Sequence, residues 1–461
     1  MLCSLLKFIL FIPFIDSFFI NIRFGSPFRV SNKEVNKKII VPTSLKNKNV
    51  LKKINGFYGM IGPDVNVSTV NSLYELFTAD GNIQGVFLEN GEITYIKHYI
   101  RTDKLLYEEK NGIIPKNIWT TGIFMLLEKL NMFPNIMGVA NTAVLNVKNK
   151  YFALFERDQP YQIHIDFKNK TINTVKKMKI KDVKYLSGHT KYDGDVIKTI
   201  DYNVLLNEVY YYELNETMNV KKKSTIKTNY LPVVHDFLST KDSLIISDSP
   251  LLIVNINKII NATQKTLKIP VVFDKNKKTF FHILNKKTNE VKQIESSDSF
   301  YIFHYADYYE NNNYIEMYAP LYDNMDFSDI NLKGNYRKVI INKKTNNTRI
   351  ERNEELEKYD LDFPLKYKNN VVLRNIENKT INGFIICEKL NIKKKIFFKD
   401  KSICGEPAIA CIDNNYYLLA FAYNKKESYL IIINLSNYEV TEIPIDENIN
   451  IGFHSIFVTK N

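Results

Sequence analysis

The sequence predicts an all-β protein, for three reasons. After residue 37, most of the chain consists of short apolar segments, rich in β-branched and aromatic residues, that end in Asn, Asp or Gly. Few stretches show the helical period of about 3.6 residues. Residues 84–88 and 92–101 alternate around Asn90-Gly91, which is typical of a β-hairpin turn. This pattern indicates a sandwich, a barrel or a propeller. Since no fixed motif repeats, a propeller would have irregular blades.

The chain is long and apolar enough to bury a substantial core. It has 461 residues, of which 45% are hydrophobic and 13% aromatic. No linker rich in Pro, Gly or Ser divides it. We therefore expect one domain over residues 37–461.

The N-terminal segment, residues 1–20, is almost wholly apolar and is interrupted by Lys7, Pro13 and Asp16. Its apolar centre at 8–15 is short for a spanning helix, which needs about 20 residues. The segment is typical of a secretory signal or of a membrane-associating segment. We therefore expect membrane association, either peripheral or through entry into the secretory pathway.

The remaining elements follow in chain order. Residues 56–64 predict a strand and a turn, and the Asn90-Gly91 hairpin comes next. Residues 115–130, which include the single tryptophan Trp119, form the best helix candidate. Further short strands are predicted at 142–147, 151–155, 208–214, 243–254 (strand, turn, strand), 299–304, 314–318, 336–342, 416–422 and 428–434.

The formal net charge of +13 favours an acidic partner, either nucleic acid or an anionic membrane. The lysines, however, are scattered among asparagines in short segments. That distribution indicates a solvated surface, and we expect no nucleic-acid partner.

Four of the seven histidines lie in similar settings at the edges of apolar segments: His189, His235, His304 and His454. They are 46, 69 and 150 residues apart, so only the fold could bring them together. Neutral imidazole suits iron, copper, zinc and nickel. Four such ligands would leave one or two coordination positions for a small molecule such as dioxygen. The alternative is four unrelated packing histidines.

Metal-bound histidines usually donate their other N–H to a carboxylate or a carbonyl group. Glu156, Asp362 and Glu406 are candidates for this role, because each lies beside apolar residues, where an unpaired acid would be costly. The alternative is that they are ordinary acids.

At these residues the sequence resembles the carotenoid cleavage oxygenase family, which includes the retinoid isomerase of the vertebrate eye. The resemblance extends over residues 56–458, and the family's motifs appear in the family's order. The matching segments are 56–64, Asp80-Gly81 with 95–102, Ala140-Asn141-Thr142, His189-Thr-Lys-Tyr-Asp193, His235-Asp-Phe237 with Thr240, Phe303-His304 with Asp307 and Glu310, Gly405-Glu-Pro407 and Gly452-Phe-His-Ser455.

The resemblance implies a seven-bladed β-propeller with a helical or loop cap over the metal face. It also implies ferrous iron, Fe(2+), on the axis. The implied ligands are His189, His235, His304 and His454. By motif order, it implies that three carboxylates hold histidine rings in place, with Glu156 paired to His235, Asp362 to His304, and Glu406 to His454.

Several residues depart from the family pattern. Asp362 stands where the family has glutamate, and its side chain is one methylene shorter, which leaves its contact with His304 open. The other departures are Met60 and Ile61 for Arg-Asn, His98 for Arg, Asp307 for Asn and Ser455 for Gly. The chain is therefore identified as a divergent member, and its substrate does not follow by analogy.

The resemblance implies a non-haem iron(II) dioxygenase that uses dioxygen to cleave a carbon–carbon double bond of a carotenoid, an apocarotenoid or a stilbene-like alkene. Two alternatives remain: an isomerase that uses the same iron site, and an inactive propeller that binds lipid or a protein. Because a polyene substrate resides in lipid, we also expect peripheral contact with a membrane.

Overall fold

A computed structural model describes residues 34–44, 48–65, 70, 73–112, 127, 138–253, 271–327, 329 and 331–460. These residues form seven antiparallel sheets of four or five strands, and one additional two-stranded ribbon. The sheets are the blades of a propeller. The predicted all-β class and the seven-bladed architecture are confirmed.

The first four blades are formed by the N-terminal half of the chain. Blade 1 contains β1 (Val35–Ile39), β2 (Gly56–Pro63), β3 (Gly81–Glu89) and β4 (Glu92–Tyr99). Blade 2 contains β5 (Ala143–Val147), β6 (Lys150–Leu154), β7 (Tyr161–Asp166) and β8 (Thr171–Lys177). Blade 3 contains β9 (Lys191–Asp193), β10 (Val196–Asn203), β11 (Glu208–Leu214) and β12 (Val220–Lys227). Blade 4 contains β13 (Leu238–Ser239) and β14 (Ser243–Asp248), then the ribbon strands β15 (Leu251–Ile253) and β16 (Val271–Phe273), then β17 (Phe280–Asn285) and β18 (Val291–Glu295).

The other three blades follow. Blade 5 contains β19 (Tyr301–Ile302), β20 (Asp307–Glu310), β21 (Tyr314–Tyr322), β22 (Asn335–Asn342) and β23 (Thr348–Glu351). Blade 6 contains β24 (Asp360–Tyr367), β25 (Asn370–Glu377), β26 (Thr380–Glu388) and β27 (Asn391–Phe397). Blade 7 contains β28 (Ser402–Ile403), β29 (Ala408–Ile412), β30 (Asn415–Tyr423), β31 (Ser428–Asn434) and β32 (Val440–Ile445), and β33 (Ser455–Thr459) follows it. The described helices are α1 (Leu73–Phe77), α2 (Asp103–Asn111) and the 3-10 turns Lys48–Lys52 and Leu356–Lys358.

The two ends of the described chain meet in blade 1. The last strand, β33, pairs with β2, so that Gly56 lies opposite Thr459 and Met60 opposite Ser455. The propeller ring is thus closed by hydrogen bonds between the first and last segments. This closure fixes the residue immediately before β33, which is His454.

Each pair of neighbouring blades encloses its own hydrophobic core, so the central strands are buried on both faces. In β30, Leu419 packs in the core shared with blade 1, whereas Leu418 packs in the core shared with blade 6. Side chains alternate between the two faces of a strand. A strand that is buried on both faces therefore has a continuous apolar sequence.

The outermost strands have the opposite composition. In β12, Lys221, Lys223 and Lys227 are exposed, and in β27, Lys393 and Lys394 are exposed. Charged residues on an edge strand discourage pairing with the edge of another molecule. Lysines on the blade edges therefore account for part of the basic charge.

The secondary-structure elements predicted from the sequence differ in their outcomes. The Asn90-Gly91 hairpin is present, and both residues have positive φ values, of 52° and 87°. The helix candidate at 115–130 lies outside the described residues, apart from the helical Leu127, and the segment 1–20 lies wholly outside them. Helix α2 and the four strands of blade 6 were not predicted. None of the helices in the described ranges is long and apolar enough to cross a bilayer.

Candidate metal centre

Four histidine side chains from four blades meet at the axis. His189 precedes β9, His235 precedes β13, His304 lies between β19 and β20, and His454 precedes β33. Their ligand atoms all lie within 4.8 Å of one another. In a regular strand the side chains point at the two sheet faces, which here are the neighbouring blades. Each histidine lies beside or within a break in an inner strand, which leaves its ring free to point at the axis.

Three carboxylates come from the three blades that supply no histidine. Glu156 follows β6 of blade 2, Asp362 lies in β24 of blade 6, and Glu406 lies between β28 and β29 of blade 7. Every blade therefore contributes one residue of the predicted set of seven.

Each carboxylate contacts the Nδ1 atom of the histidine with which the resemblance pairs it. The contacts join His235 Nδ1 to Glu156 Oε1, His304 Nδ1 to Asp362 Oδ1 at 2.8 Å, and His454 Nδ1 to Glu406 Oε2 at 3.1 Å. An imidazole that donates its Nδ1–H to a carboxylate has a lone pair on Nε2, which is the metal-binding tautomer. The metal-binding role of these residues stays a prediction.

The donor set fits a divalent transition-metal ion. The Nε2 atom of His304 is buried and has no hydrogen-bond partner among the described residues. The Nε2 atoms of His189 and His235 are 3.0 Å apart. Two nitrogens that bind one ion at right angles, each at about 2.1 Å, would be separated by about this distance. Imidazole nitrogens are ligands that iron accepts.

The surroundings favour neutral imidazoles at two of the four positions. Burial, and then the neighbouring histidines, hold the pKa of His189 well below its usual range. Burial also lowers the pKa of His304, against the opposing effect of Asp362. For His235, burial lowers the pKa, but Glu156 opposes burial and the net shift is upward. A histidine must be unprotonated at the ligating nitrogen to bind a metal.

A second network links three of the histidine segments. Asp236 is buried, and its Oδ1 accepts hydrogen bonds from Lys191 Nζ at 2.7 Å and from Phe237 N–H at 2.7 Å. Its Oδ2 accepts a hydrogen bond from Tyr305 N–H at 3.0 Å. Lys191, Asp236 and Tyr305 each lie one or two residues after a candidate ligand. One carboxylate therefore joins the inner strands of blades 3, 4 and 5.

Aromatic rings surround the histidines. The ring centroid of Phe303 is 5.4 Å from that of His235, and the centroid of Phe77, at the end of α1, is 6.4 Å from it. Phe363 packs against His304, with 4.8 Å between centroids, and Phe453 packs against Phe77 at 5.8 Å. Helix α1 is therefore a described part of the expected cap, and the histidines lie in an apolar environment.

Sequence reasoning missed several residues that lie close to this centre. Tyr322 donates a hydrogen bond to Asp362 Oδ2 at 2.5 Å, and the Arg374 guanidinium lies 3.8 Å from the centroid of the Phe363 ring. Tyr322 ends an ordinary apolar strand and carries no motif. Arg374 gave a weak signal, as a charge within the apolar sequence of β25.

Comparisons with known proteins agree with this fold. Residues 52–459 match the model of the family described as retinal pigment epithelial membrane protein. The chain is 23% identical over 444 residues to the chloroplastic 9-cis-epoxycarotenoid dioxygenase NCED6 of Arabidopsis thaliana, covering 84% of this chain and 74% of that protein. It is also 23% identical over 471 residues to carotenoid 9,10(9′,10′)-cleavage dioxygenase 1 of the same plant, covering 88% and 85%.

Solved structures share the architecture. A mutant apocarotenoid oxygenase of Synechocystis aligns with a TM-score of 0.75 at 15% identity, covering 94% of this chain and 98% of that chain. Lignostilbene dioxygenase of Pseudomonas brassicacearum aligns with a TM-score of 0.74 at 14% identity, covering 95% and 100%. These similarities show that the propeller fold is shared at low sequence identity.

The fold and the relatives together define the class of protein, an enzyme of the carotenoid-cleavage dioxygenase type. The family match extends over most of the sequence. The chain belongs to the retinal pigment epithelial membrane protein family.

Proposed function

We propose that this chain is a non-haem iron(II) dioxygenase that cleaves a carbon–carbon double bond of a carotenoid, an apocarotenoid or a related conjugated alkene. One observation carries the proposal. Four histidines converge on the axis, and three of them have Nδ1 occupied by a carboxylate, so that their Nε2 atoms are available to an ion.

The residues of the chain have distinct tasks in this reaction. His189, His235, His304 and His454 would hold the ion, and Glu156, Asp362 and Glu406 fix the orientation and tautomer of three of these rings. Bound ferrous iron would supply the redox chemistry that activates dioxygen. Both oxygen atoms enter the substrate, so that one double bond is replaced by two carbonyl groups.

The surrounding aromatic residues favour an apolar substrate. Phe303 and Tyr322 belong to a hydrophobic cluster that extends from the histidines to Leu251 and Phe273 in the ribbon. Such a lining excludes water and suits a conjugated hydrocarbon chain. The relatives named for carotenoid, apocarotenoid and lignostilbene chemistry support the same class of substrate.

The ribbon supports the proposal of peripheral membrane contact. Ile253 in β15 is 66% exposed and Val272 in β16 is 46% exposed, next to the cluster that reaches the histidines. Exposed aliphatic side chains beside an apolar cluster are typical of a surface that rests on a bilayer. Association through residues 1–20, either peripheral or through the secretory pathway, remains a separate part of the proposal.

Metal content and turnover of purified protein would test the function. We expect about one iron per chain after anaerobic loading with ferrous salt, and iron should be lost in His304→Ala. The control is His164→Ala, since His164 is exposed on the outer part of blade 2, in β7, and is not among the four candidate ligands. With a carotenoid or stilbene substrate and ¹⁸O₂, the label should appear in two shorter carbonyl products. Failure to bind iron would contradict the proposal.

The same assay addresses the two alternatives. Products with the mass of the substrate would instead identify an isomerase that uses the same ligands. An Asp362 side chain too short to reach His304 would favour the inactive propeller. Since Asp362 does contact His304 Nδ1, that argument no longer favours it.

A further inference from the structure

The three carboxylates behind the histidines differ in how they are held. Asp362 is the only aspartate among them, and it is buried, with 4% of its surface exposed. Its Oδ1 contacts His304, and its Oδ2 accepts a hydrogen bond from the Tyr322 phenol at 2.5 Å. The Glu406 Oε2 atom that contacts His454 is instead held by the N–H of Ser455, at 3.1 Å. Asp362 is thus held by a hydrogen bond from a side chain, whereas Glu406 is held by a hydrogen bond from the backbone.

The backbone around Asp362 is irregular. The pairing of β24 with β25 shifts register between Asp362 and Leu365, and Phe363 has a φ of 54°. A left-handed conformation is unfavourable for a phenylalanine and persists only where the surroundings hold it. The Phe363 ring packs against His304 and lies next to the buried Arg374 guanidinium. A short carboxylate is thus combined with a distorted strand.

Tyr322 is well placed to hold this carboxylate. It is the last residue of β21, it is buried, and its ring packs edge-on against Phe303 with 5.1 Å between centroids. Burial, and then the neighbouring Asp362, hold the pKa of Tyr322 well above its usual range, so the phenol remains a donor. Because packing restrains both side-chain torsions of Tyr322, χ1 and χ2, the position of its hydroxyl group is well defined.

We propose that Tyr322 is a positioning residue for the metal centre. By donating to Asp362 Oδ2 it fixes the orientation of a carboxylate that lacks one methylene, and it thereby fixes the ring plane and tautomer of His304. The hydrogen-bond chain Tyr322–Asp362–His304 takes the place of a longer glutamate. The effect on metal binding rests on the proposed function, whereas the effect on His304 is a property of the protein without metal.

Three variants would test this inference. Tyr322→Phe keeps the ring and removes the donor. Tyr336→Phe is the control, since Tyr336 is equally buried in the same blade but belongs to the core shared with Val371 and Leu373. The double variant Tyr322→Phe/Asp362→Glu supplies the longer carboxylate in the absence of the donor.

The first readout is ¹⁵N-histidine NMR of the metal-free protein, with the His304 signals assigned by their loss in His304→Ala. In Tyr322→Phe we expect the Nδ1–H signal of His304 to shift or to exchange away, whereas in Tyr336→Phe it should not change. The second readout is affinity for ferrous or cobaltous ion. Tyr322→Phe should bind 10- to 100-fold more weakly, a typical loss of roughly this size when a residue behind a ligand is removed. The double variant should recover most of this loss.

The outcomes separate this inference from the proposed function. If the unmodified protein binds no metal, the proposed function fails, and the NMR comparison still decides the role of Tyr322. An unchanged His304 signal in Tyr322→Phe would overturn the inference. If Tyr322 compensates for the short side chain of Asp362, a glutamate at that position should make the donor unnecessary. A double variant that binds metal as weakly as Tyr322→Phe would therefore also overturn the inference.

Discussion

Lys191 and Asp236 form an ion pair of 2.7 Å between the inner strands of blades 3 and 4. Lys191 lies two residues after His189, and Asp236 directly follows His235. The same carboxylate accepts the N–H of Tyr305, the residue after His304. Removing this carboxylate should therefore change the distances between three candidate ligands, although none of the ligand residues is itself substituted.

The first prediction concerns Asp236→Asn. Its amide group can replace only one of the two acceptor oxygens, so a buried N–H loses its partner, which typically costs about 1–3 kcal/mol of unfolding free energy. We also expect roughly 10-fold weaker iron binding. Denaturant unfolding and metal titration would measure the two effects. The control is Asp193→Asn, which removes the ion pair between Asp193 and Lys198. The Asp193 side chain is 76% exposed, so this variant leaves no buried group without a partner. Equal losses in both variants would contradict the prediction.

The second prediction concerns Glu406→Gln. Glu406 accepts from His454 Nδ1 and from the N–H of Ser455. A neutral amide makes the imidazole a weaker ligand and permits the other tautomer, so metal affinity should fall by about 10- to 100-fold. Glu442→Gln on the outer strand β32 is the matched control, and its affinity should stay within about twofold. Full affinity in Glu406→Gln would show that the His454 contact has no role in metal binding.

The sequence predicted the parts of the fold that depend on local patterns. The Asn90-Gly91 turn adopts the left-handed conformation that such residues permit, and β11 and β31 have the predicted bounds. Blade 6 was missed because buried polar residues, Arg374 and Asn375, interrupt the apolar sequence of β25. Those residues are buried because of tertiary contacts, which the local sequence does not contain.

The sequence likewise predicted only part of the candidate site. The histidines and carboxylates lie in recognisable motifs, and the structure brings all of them together. The contribution of Tyr322 depends on the position of one phenol relative to a carboxylate 40 residues away in sequence. No spacing rule connects two such residues, so only the folded arrangement of blades 5 and 6 shows their contact.

The third prediction tests the closure of the ring beside His454. A Cβ atom on Gly62 would lie 2.5 Å from the Cα atom of Gly452 and 2.8 Å from the carbonyl oxygen of Ile451. Gly62→Ala should therefore push the segment that carries His454 away from β2, with a loss of about 1–3 kcal/mol of unfolding free energy and weaker metal binding.

Gly194→Asn serves as the control for this variant. Nothing lies within 4 Å of a Cβ atom at Gly194, and asparagine tolerates its φ of 67°. Thermal unfolding and metal titration should leave Gly194→Asn close to the unmodified protein. If Gly62→Ala matches Gly194→Asn in both measurements, the segment at Gly452 can move away from β2 without loss of stability or metal affinity, and the prediction is wrong.

The last prediction concerns pH and Asp201, a buried residue of β10 that is neither a candidate metal ligand nor one of the carboxylates that contact the histidines. Burial raises the pKa of Asp201 to about 6, against the opposing charges of Arg157 and Lys184. An unfolded aspartate has a pKa of about 3.9. Between these values the folded protein binds more protons than the unfolded chain, so this group lowers stability as pH rises from about 4 to about 6.

Asp201→Asn removes that dependence. Relative to the unmodified protein, the variant should gain unfolding free energy as pH rises from 4 to 7, by up to about 3 kcal/mol for two pKa units. Urea unfolding at pH 4, 5, 6 and 7 would measure the difference between the two proteins. A difference that stays constant over this range would mean that the pKa of Asp201 in the folded protein is close to its unfolded value, and that Arg157 compensates for its burial.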